Sequence, residues 1–308
     1  MIKLFCLVGP TGVGKTEVAI ELAKECDLDI ISADSRQIYK YMDIGTAKLH
    51  LAVSGVRFHL IDIITPDVLY SAADFARDAT KILKGCDPQR SRTPIIVGGS
   101  GLYFKALFEP FFQAPVRDLK LRQRLEKENL DKLYERLKLV DPVSAQRIKP
   151  ADRQRIIRAL EIYEQTRKPL SEHIKQTTPE PEFSPYYVGL TLPRKILYDK
   201  INQRFDKMLE DGLVGEVKNL LQMGYTKDLN ALNGIGYQEI IKFLEGEISL
   251  MQAIYLAKNR SRQYAKRQIT WFKKVEGIKW IENIDPKQTI QKISQHYEKY
   301  LKNTENEN

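Results

Sequence analysis

A chain of 308 residues, 43% of them hydrophobic, can bury a sizeable core in one large domain or two ordinary ones. No run of 18 apolar residues occurs, and the apolar start at residues 2–8 is only strand length, so neither a membrane span nor a signal peptide is expected. Forty-nine Lys and Arg against 40 Asp and Glu leave +9, a balance that favours a polyanionic partner.

The surplus is concentrated. Residues 116–168 hold fifteen Lys/Arg against nine Asp/Glu, and residues 248–275 hold seven with no acid at all. Either run alone is readily a solvated helix face, whereas two together point to nucleic acid. Cys6, Cys26 and Cys86 are dispersed, without a CxxC or a neighbouring histidine, which fits reduced structural thiols in the cytoplasm and no zinc site.

In chain order, apolar strands are predicted over residues 3–8, 29–33, 58–63 and 94–97, with an amphipathic helix over 15–24. This is the pattern of βα units on a parallel sheet. Charged, leucine-rich helical segments follow at 119–139 and 152–166 with no strand between them, so a helical insertion is expected. A Pro-rich stretch at 177–185 returns the chain to a strand at 187–192. Helices are then expected over 201–222, 235–244 and 250–272, before a polar tail at 303–308 that should fray. The fold class is therefore α/β, a P-loop core with a parallel sheet flanked by helices (residues 1–113 and 186–308) plus a mainly helical insertion (114–185). No heptad array suggests an oligomer, and a monomer is expected.

Gly9, Pro10, Thr11, Gly12, Val13, Gly14, Lys15 and Thr16 form a full GxxxxGK[ST] motif between a strand and a helix. Glycines turn backbone N–H groups toward a phosphate, the helix N-terminus adds positive potential, Lys15 neutralises charge, and the Thr16 hydroxyl can ligate Mg²⁺. The motif leaves the ligand open, because kinases, ATPases and enzymes with a pyrophosphate leaving group share it. Asp34 ends a strand on the ligand side of such a sheet. It could serve as a water-mediated Mg²⁺ partner, a general base or an N-cap. Residues 98–101 end another strand with a glycine pair and the Ser100 hydroxyl. Asp62 is the one convincing Walker-B candidate.

GPTGVGKT at 9–16, ISADSRQIY at 31–39, MDIGTAK at 42–48, GGSGLYFKAL at 98–107, RQRIIRALEIY at 153–163 and AKRQITWF at 265–272 together resemble the bacterial tRNA dimethylallyltransferases. The resemblance runs along nearly the whole chain in order. It implies transfer of a dimethylallyl group from dimethylallyl diphosphate to the N6 amine of the adenosine 3′ of the anticodon in tRNA, with Mg²⁺. By motif, the 9–16 loop would hold the diphosphate and Asp34 would accept the amine proton. The tRNA anticodon stem-loop would be contacted by Asp34, Ser35, Arg36, Gln37, Ser100, Arg122, Gln154, Arg155, Ile156, Ile157 and Arg158. Further contacts would come from Asn233, Gly234, Ile235, Gly236, Tyr237 and Gln238, and from residues 261–268.

Gln154 and Arg158 are four apart and share a helix face. Lys258, Arg262 and Lys266 recur every four residues as one basic stripe, with Arg267 beside it and Leu250, Ile254 and Ala257 toward the core. Three positions depart from the family pattern. Ser100 replaces the usual threonine, Arg167 the usual glycine, and Gln238 a common Lys or Arg.

Overall fold

A computed structural model describes residues 1–48, 54–85, 94–109, 111–112, 114–115, 118–176 and 181–305. It separates into two compact units, Met1–Phe108 with Glu182–Asn308, and Glu109–Pro181. Among the described residues no helix is long and apolar enough to cross a membrane.

In the first unit, β1 (Ile2–Val8) leads into α1 (Lys15–Cys26) and β2 (Ile30–Ala33); β3 (Phe58–His59), α2 (Ala72–Gly85), β4 (Ile95–Gly98) and α3 (Gly101–Phe108) follow. The six strands form one sheet in the order β3-β2-β4-β1-β5-β6, with every pairing parallel. Leu4 to Val8 are all buried, as expected for a strand covered on both faces. Because the strands run one way, their C-terminal ends share one edge, and the 9–16 loop, Asp34 and Gly99 all leave from it.

The expected strand at 58–63 shrinks to two residues. Leu60 and Asp62 adopt φ of 62° and 54°, which turn the chain out of the sheet.

The second unit holds α4 (Leu119–Lys127), α5 (Leu130–Val140), α6 (Pro142–Arg147), α7 (Arg153–Thr166) and α8 (Leu170–Gln176). Residues 119–139 do not form one helix, since the Asn129 side chain accepts from the Asp131 and Lys132 N–H groups and starts α5 afresh. Leu125, Leu133, Leu137, Ile156, Ile157 and Leu160 make the apolar core of this unit. Its boundaries lie a few residues before the expected 114–185, because Glu182 already belongs to the sheet unit through the bond from Ile2 N–H to its carbonyl (3.0 Å).

The chain re-enters the sheet with β5 (Phe183–Thr191), longer than expected and containing Pro185. That proline pairs with Leu4 of β1 on one side, and β6 reaches β5 only from Val188 onward, so the missing N–H has an unpaired side to face. Next come α9 (Arg194–Glu210), α10 (Leu213–Gln222), α11 (Tyr237–Leu244), α12 (Leu250–Phe272), β6 (Lys279–Glu282) and α13 (Pro286–Glu305). The single helix expected over 201–222 is broken where Gly212 takes φ 102°.

On α12 the buried positions are Ala253, Ala257, Ala265, Gln268 and Phe272, while Leu250 lies at the surface rather than in the core. Neither β6 nor α13 was anticipated. Ile293, Tyr297 and Tyr300 of α13 close the main core against Phe5, and the helix runs to Glu305, so residues 303–305 of the tail expected to fray are helical; residues 306–308 lie outside the described residues, as does Cys86.

Candidate active site

The 9–16 loop wraps the start of α1 with Gly12 at φ 78° and Gly14 at φ 92°. Side chains are barred there twice over, since a Cβ on Gly12 would lie 2.7 Å from Ile201 Cγ1 and one on Gly14 2.6 Å from Asn283 Nδ2. Two polar ties hold the loop in place. Gln268 of α12, which is buried, accepts from Thr11 N–H (2.8 Å) and donates to the Gly99 carbonyl (2.9 Å), and Asn283 donates to the Val13 carbonyl (2.8 Å).

In front of the loop lies a cavity of about 680 Å³ lined by Lys15, Thr16, Asp34, Lys200, Arg204 and Tyr264, among others. Lys15 Nζ donates to the Pro10 carbonyl (2.8 Å), and Arg204 Nη1 donates to Thr11 Oγ1 (3.2 Å). Burial lowers the Lys15 pKa to about 8 against the upward pull of Asp34, and Arg204 depresses it further. The Arg204 pKa is also lowered by burial and pulled up by Asp34 and Glu17. Two poorly hydrated cations facing one cavity are a site for a multiply charged anion. At neutral pH Lys15 remains largely protonated, so both charges are present to meet it.

Asp34 leaves the end of β2 and its Oδ1 accepts from Arg36 N–H (2.8 Å). No helix follows it, so the N-cap reading falls away and the carboxylate closes a turn instead. Ser35 N–H donates to Ser100 Oγ (3.2 Å), which ties the turns after β2 and β4 together, so the departure from threonine at position 100 keeps the acceptor it needs. Gln37 lines the cavity, accepting from Ser32 (2.9 Å) and donating to the Thr46 carbonyl (3.2 Å). Arg36 turns inward to the carbonyls of Asn230 (2.5 Å) and Ala231 (3.3 Å), so it is a tether here. Asp62 is not at the cavity. It pairs with the buried Lys48, which also meets Asp43 at 2.8 Å, and this ends the Walker-B reading.

The other expected contact residues divide by exposure. On α7, Gln154 and Arg155 are exposed, whereas Ile156 and Ile157 are core residues that cannot touch a ligand at the surface. Arg158 donates to Glu161 (2.8 Å) and to the Pro115 carbonyl (2.7 Å), and Arg122 lies 3.8 Å from the same wholly buried Glu161. Both arginines are thus committed within their unit.

Asn233 is exposed and Ile235 half-buried, but Gly234, Gly236 and Tyr237 are buried. The Tyr237 hydroxyl donates to Glu216 (2.6 Å), whose carboxylate also accepts from the N–H groups of Asp43, Ile44 and Gly45, so Tyr237 is an internal strut. Gln238 accepts from Arg260 rather than presenting a charge. The basic stripe of α12 is uneven. Lys258 pairs with Asp206 (2.6 Å) and Arg262 donates to Asn202 (2.6 Å), both on α9, while Lys266 and Arg267 are exposed. Gln268, expected along the tRNA, holds the cradle instead.

The IPP transferase family model matches residues 37–275. The chain is 46% identical over 302 residues to the tRNA dimethylallyltransferase of Carboxydothermus hydrogenoformans, covering 95% of each chain. It is 44% identical over 309 residues to the namesake of Thermoanaerobacter sp. strain X514, covering 97% of this chain and 98% of the other. The chain belongs to the IPP transferase family. Among solved structures, the tRNA isopentenylpyrophosphate transferase of Bacillus halodurans superposes with a TM-score of 0.73 at 36% identity, over 99% of both chains. A eukaryotic dimethylallyltransferase, described as acting on tRNA, gives 0.78 at 28% identity over 96% of this chain and 78% of that one.

Among the residues of this transferase's cavity that were missed in the sequence are Lys200, Arg204 and Asn283. Lys200 and Arg204 had a usable signal, two cations four apart on one helix. Asn283 had none, because the strand that ends just before it was not recognised.

Among the described residues no cluster of three or more His, Cys, Asp or Glu could cage a metal ion. Thr16, at the N-terminus of α1 and on the cavity wall, suits the other common arrangement, in which Mg²⁺ keeps several waters and is held mainly through substrate phosphates.

Proposed function

We propose that this transferase moves a dimethylallyl group from dimethylallyl diphosphate to the exocyclic N6 amine of the adenosine 3′ of the anticodon in tRNA, releasing diphosphate. The carrying observation is a single cavity with two half-buried cations, Lys15 and Arg204, on its loop side and the Asp34 carboxylate at the end of β2.

The adenine amine is a poor nucleophile because its lone pair is delocalised into the ring. As its bond to the prenyl carbon forms, Asp34 takes the proton, and the carbon–oxygen bond breaks with its electron pair passing to the diphosphate. Lys15, Arg204 and the loop N–H groups stabilise that charge without rearranging, since they are already fixed. A Mg²⁺ held by the Thr16 hydroxyl and the phosphate oxygens would add further charge stabilisation. The acceptor base lies in a loop, so extruding it into the cavity costs less than from a duplex. Gln154, Arg155, Lys266 and Arg267, exposed on α7 and α12, are the side chains best placed for RNA. The enzyme would act in the cytoplasm, as a monomer.

Incubation with unmodified tRNA and dimethylallyl diphosphate, followed by nucleoside mass spectrometry, should give one prenylated adenosine per acceptor and one diphosphate. Product that appears only with ATP hydrolysis would replace this reading with a kinase or ATPase.

A further inference from the structure

Asn283 directly follows β6, beyond the residues matched to the family, and its N–H donates to the Thr191 carbonyl (2.9 Å). Its side chain is 2% exposed and reaches the P-loop, where Nδ2 donates to the Val13 carbonyl at 2.8 Å. That bond sets the amide's orientation, because turning the group over would bring two oxygens face to face. The consequence is a buried Oδ1 with no hydrogen-bond partner. Leaving a buried acceptor unpaired costs roughly 1–3 kcal/mol, so stability alone does not explain an amide here.

We infer that Asn283 is a positioning residue of the phosphate cradle, which aims the Gly14 N–H by holding the Val13 carbonyl. The inference rests on the diphosphate-binding reading of the 9–16 loop. In a trans peptide the C=O of one residue and the N–H of the next point to opposite sides of one rigid plane. Fixing the Val13 oxygen toward β6 therefore directs the Gly14 N–H away from β6. The same Nδ2 stands where a Cβ on Gly14 would fall, so the contact also keeps that position a glycine. An aliphatic residue at 283 would fill the space and leave the peptide plane without an anchor.

The test uses the full chain with inorganic pyrophosphate as the calorimetric probe. Asn283→Ala should bind it about tenfold more weakly, equivalent to about 1.4 kcal/mol. The KM for dimethylallyl diphosphate should rise by the same factor while the KM for tRNA stays put. Amide exchange at residues 12–16 should quicken in the unliganded variant and slow again at saturating pyrophosphate. Asn283→Ser, which keeps a donor near the Val13 carbonyl, should fall between wild type and alanine, and it serves in its place if the alanine variant does not fold. If wild type binds no pyrophosphate, the diphosphate reading itself fails. If wild type binds and both variants match it in affinity and in loop exchange, Asn283 is a packing residue and the inference is overturned.

Discussion

In the cradle, consecutive residues work together; along α7 they part company. The loop at 9–16 acts through backbone N–H groups, which every residue there supplies, so an unbroken run can face one ligand. Helix α7 acts through side chains, which point around a cylinder with a period of 3.6 residues. Gln154 and Arg155 therefore look outward while Ile156 and Ile157 fill the core behind them. The charges differ too. Lys15 and Arg204 are desolvated and face an open cavity, whereas Arg122 and Arg158 are turned onto Glu161 and hold their own unit together.

The sharpest way to break this contrast is at Asp34, which sits with the unspent cations. Asp34→Ala should lower kcat by roughly 10²- to 10⁴-fold, the usual loss for a general base. Pyrophosphate binding is compared at pH 6, because Asp34 also holds the Lys15 pKa up and its removal would drain part of that charge at neutral pH. Wild-type turnover would show that the carboxylate is not the base. In the other unit the matching experiment should act on stability. Glu161→Ala strands Arg158 and the Asp118 N–H, which the carboxylate accepts at 2.8 and 2.9 Å, and should destabilise the insertion by about 3 kcal/mol in urea unfolding. Donor binding should be untouched, and a loss there would deny that the network is confined to its own unit.

The same contrast explains what could be read in advance. The cradle was legible because phosphate binding demands glycines, a lysine and a hydroxyl at adjacent positions, and Asp34 because a strand end is a recognisable place. Carrying the α7 motif over as a contiguous block assigned Ile156 and Ile157 a surface role that helical periodicity forbids. Tyr237 was misplaced for a related reason: its neighbours form a turn, yet its own ring is buried with its hydroxyl on Glu216. Arg204 and Asn283 reach the cavity only because α9 and β6 pack beside the loop, a tertiary fact that no local pattern encodes.

On α12 the distinction between committed and available cations predicts a graded salt effect. Each phosphate contact contributes about 0.7 to 0.9 to the fall of log affinity with log salt. Lys266→Gln and Arg267→Gln should each reduce the slope for an anticodon stem-loop by about that amount, roughly a threefold change in affinity between 50 and 200 mM salt. Lys258→Gln and Arg262→Gln, whose side chains are already held by Asp206 and Asn202, should change it much less. Equal slopes across all four variants would mean that the α9 contacts open when RNA binds.

The smallest effect expected is at Arg167, where the cost lies in the backbone alone. Arg167 ends α7 at φ 57° and ψ 18°, with its N–H on the Tyr163 carbonyl at 2.7 Å, a left-handed cap in which the resembling family usually has glycine. An L side chain there pays roughly 1–2 kcal/mol, from the closeness of Cβ to the following carbonyl. Glycine removes that strain, but its unfolded chain is freer and takes back about 0.5–1 kcal/mol. Arg167→Gly should therefore stabilise the insertion by about 0.5 kcal/mol, seen as a higher urea midpoint at unchanged slope. Arg167→Ala keeps the Cβ and should show no gain. If glycine lowers the midpoint instead, the exposed guanidinium contributes more than the turn costs, and the cation would join Arg122 and Arg158 among the charges that hold this unit together.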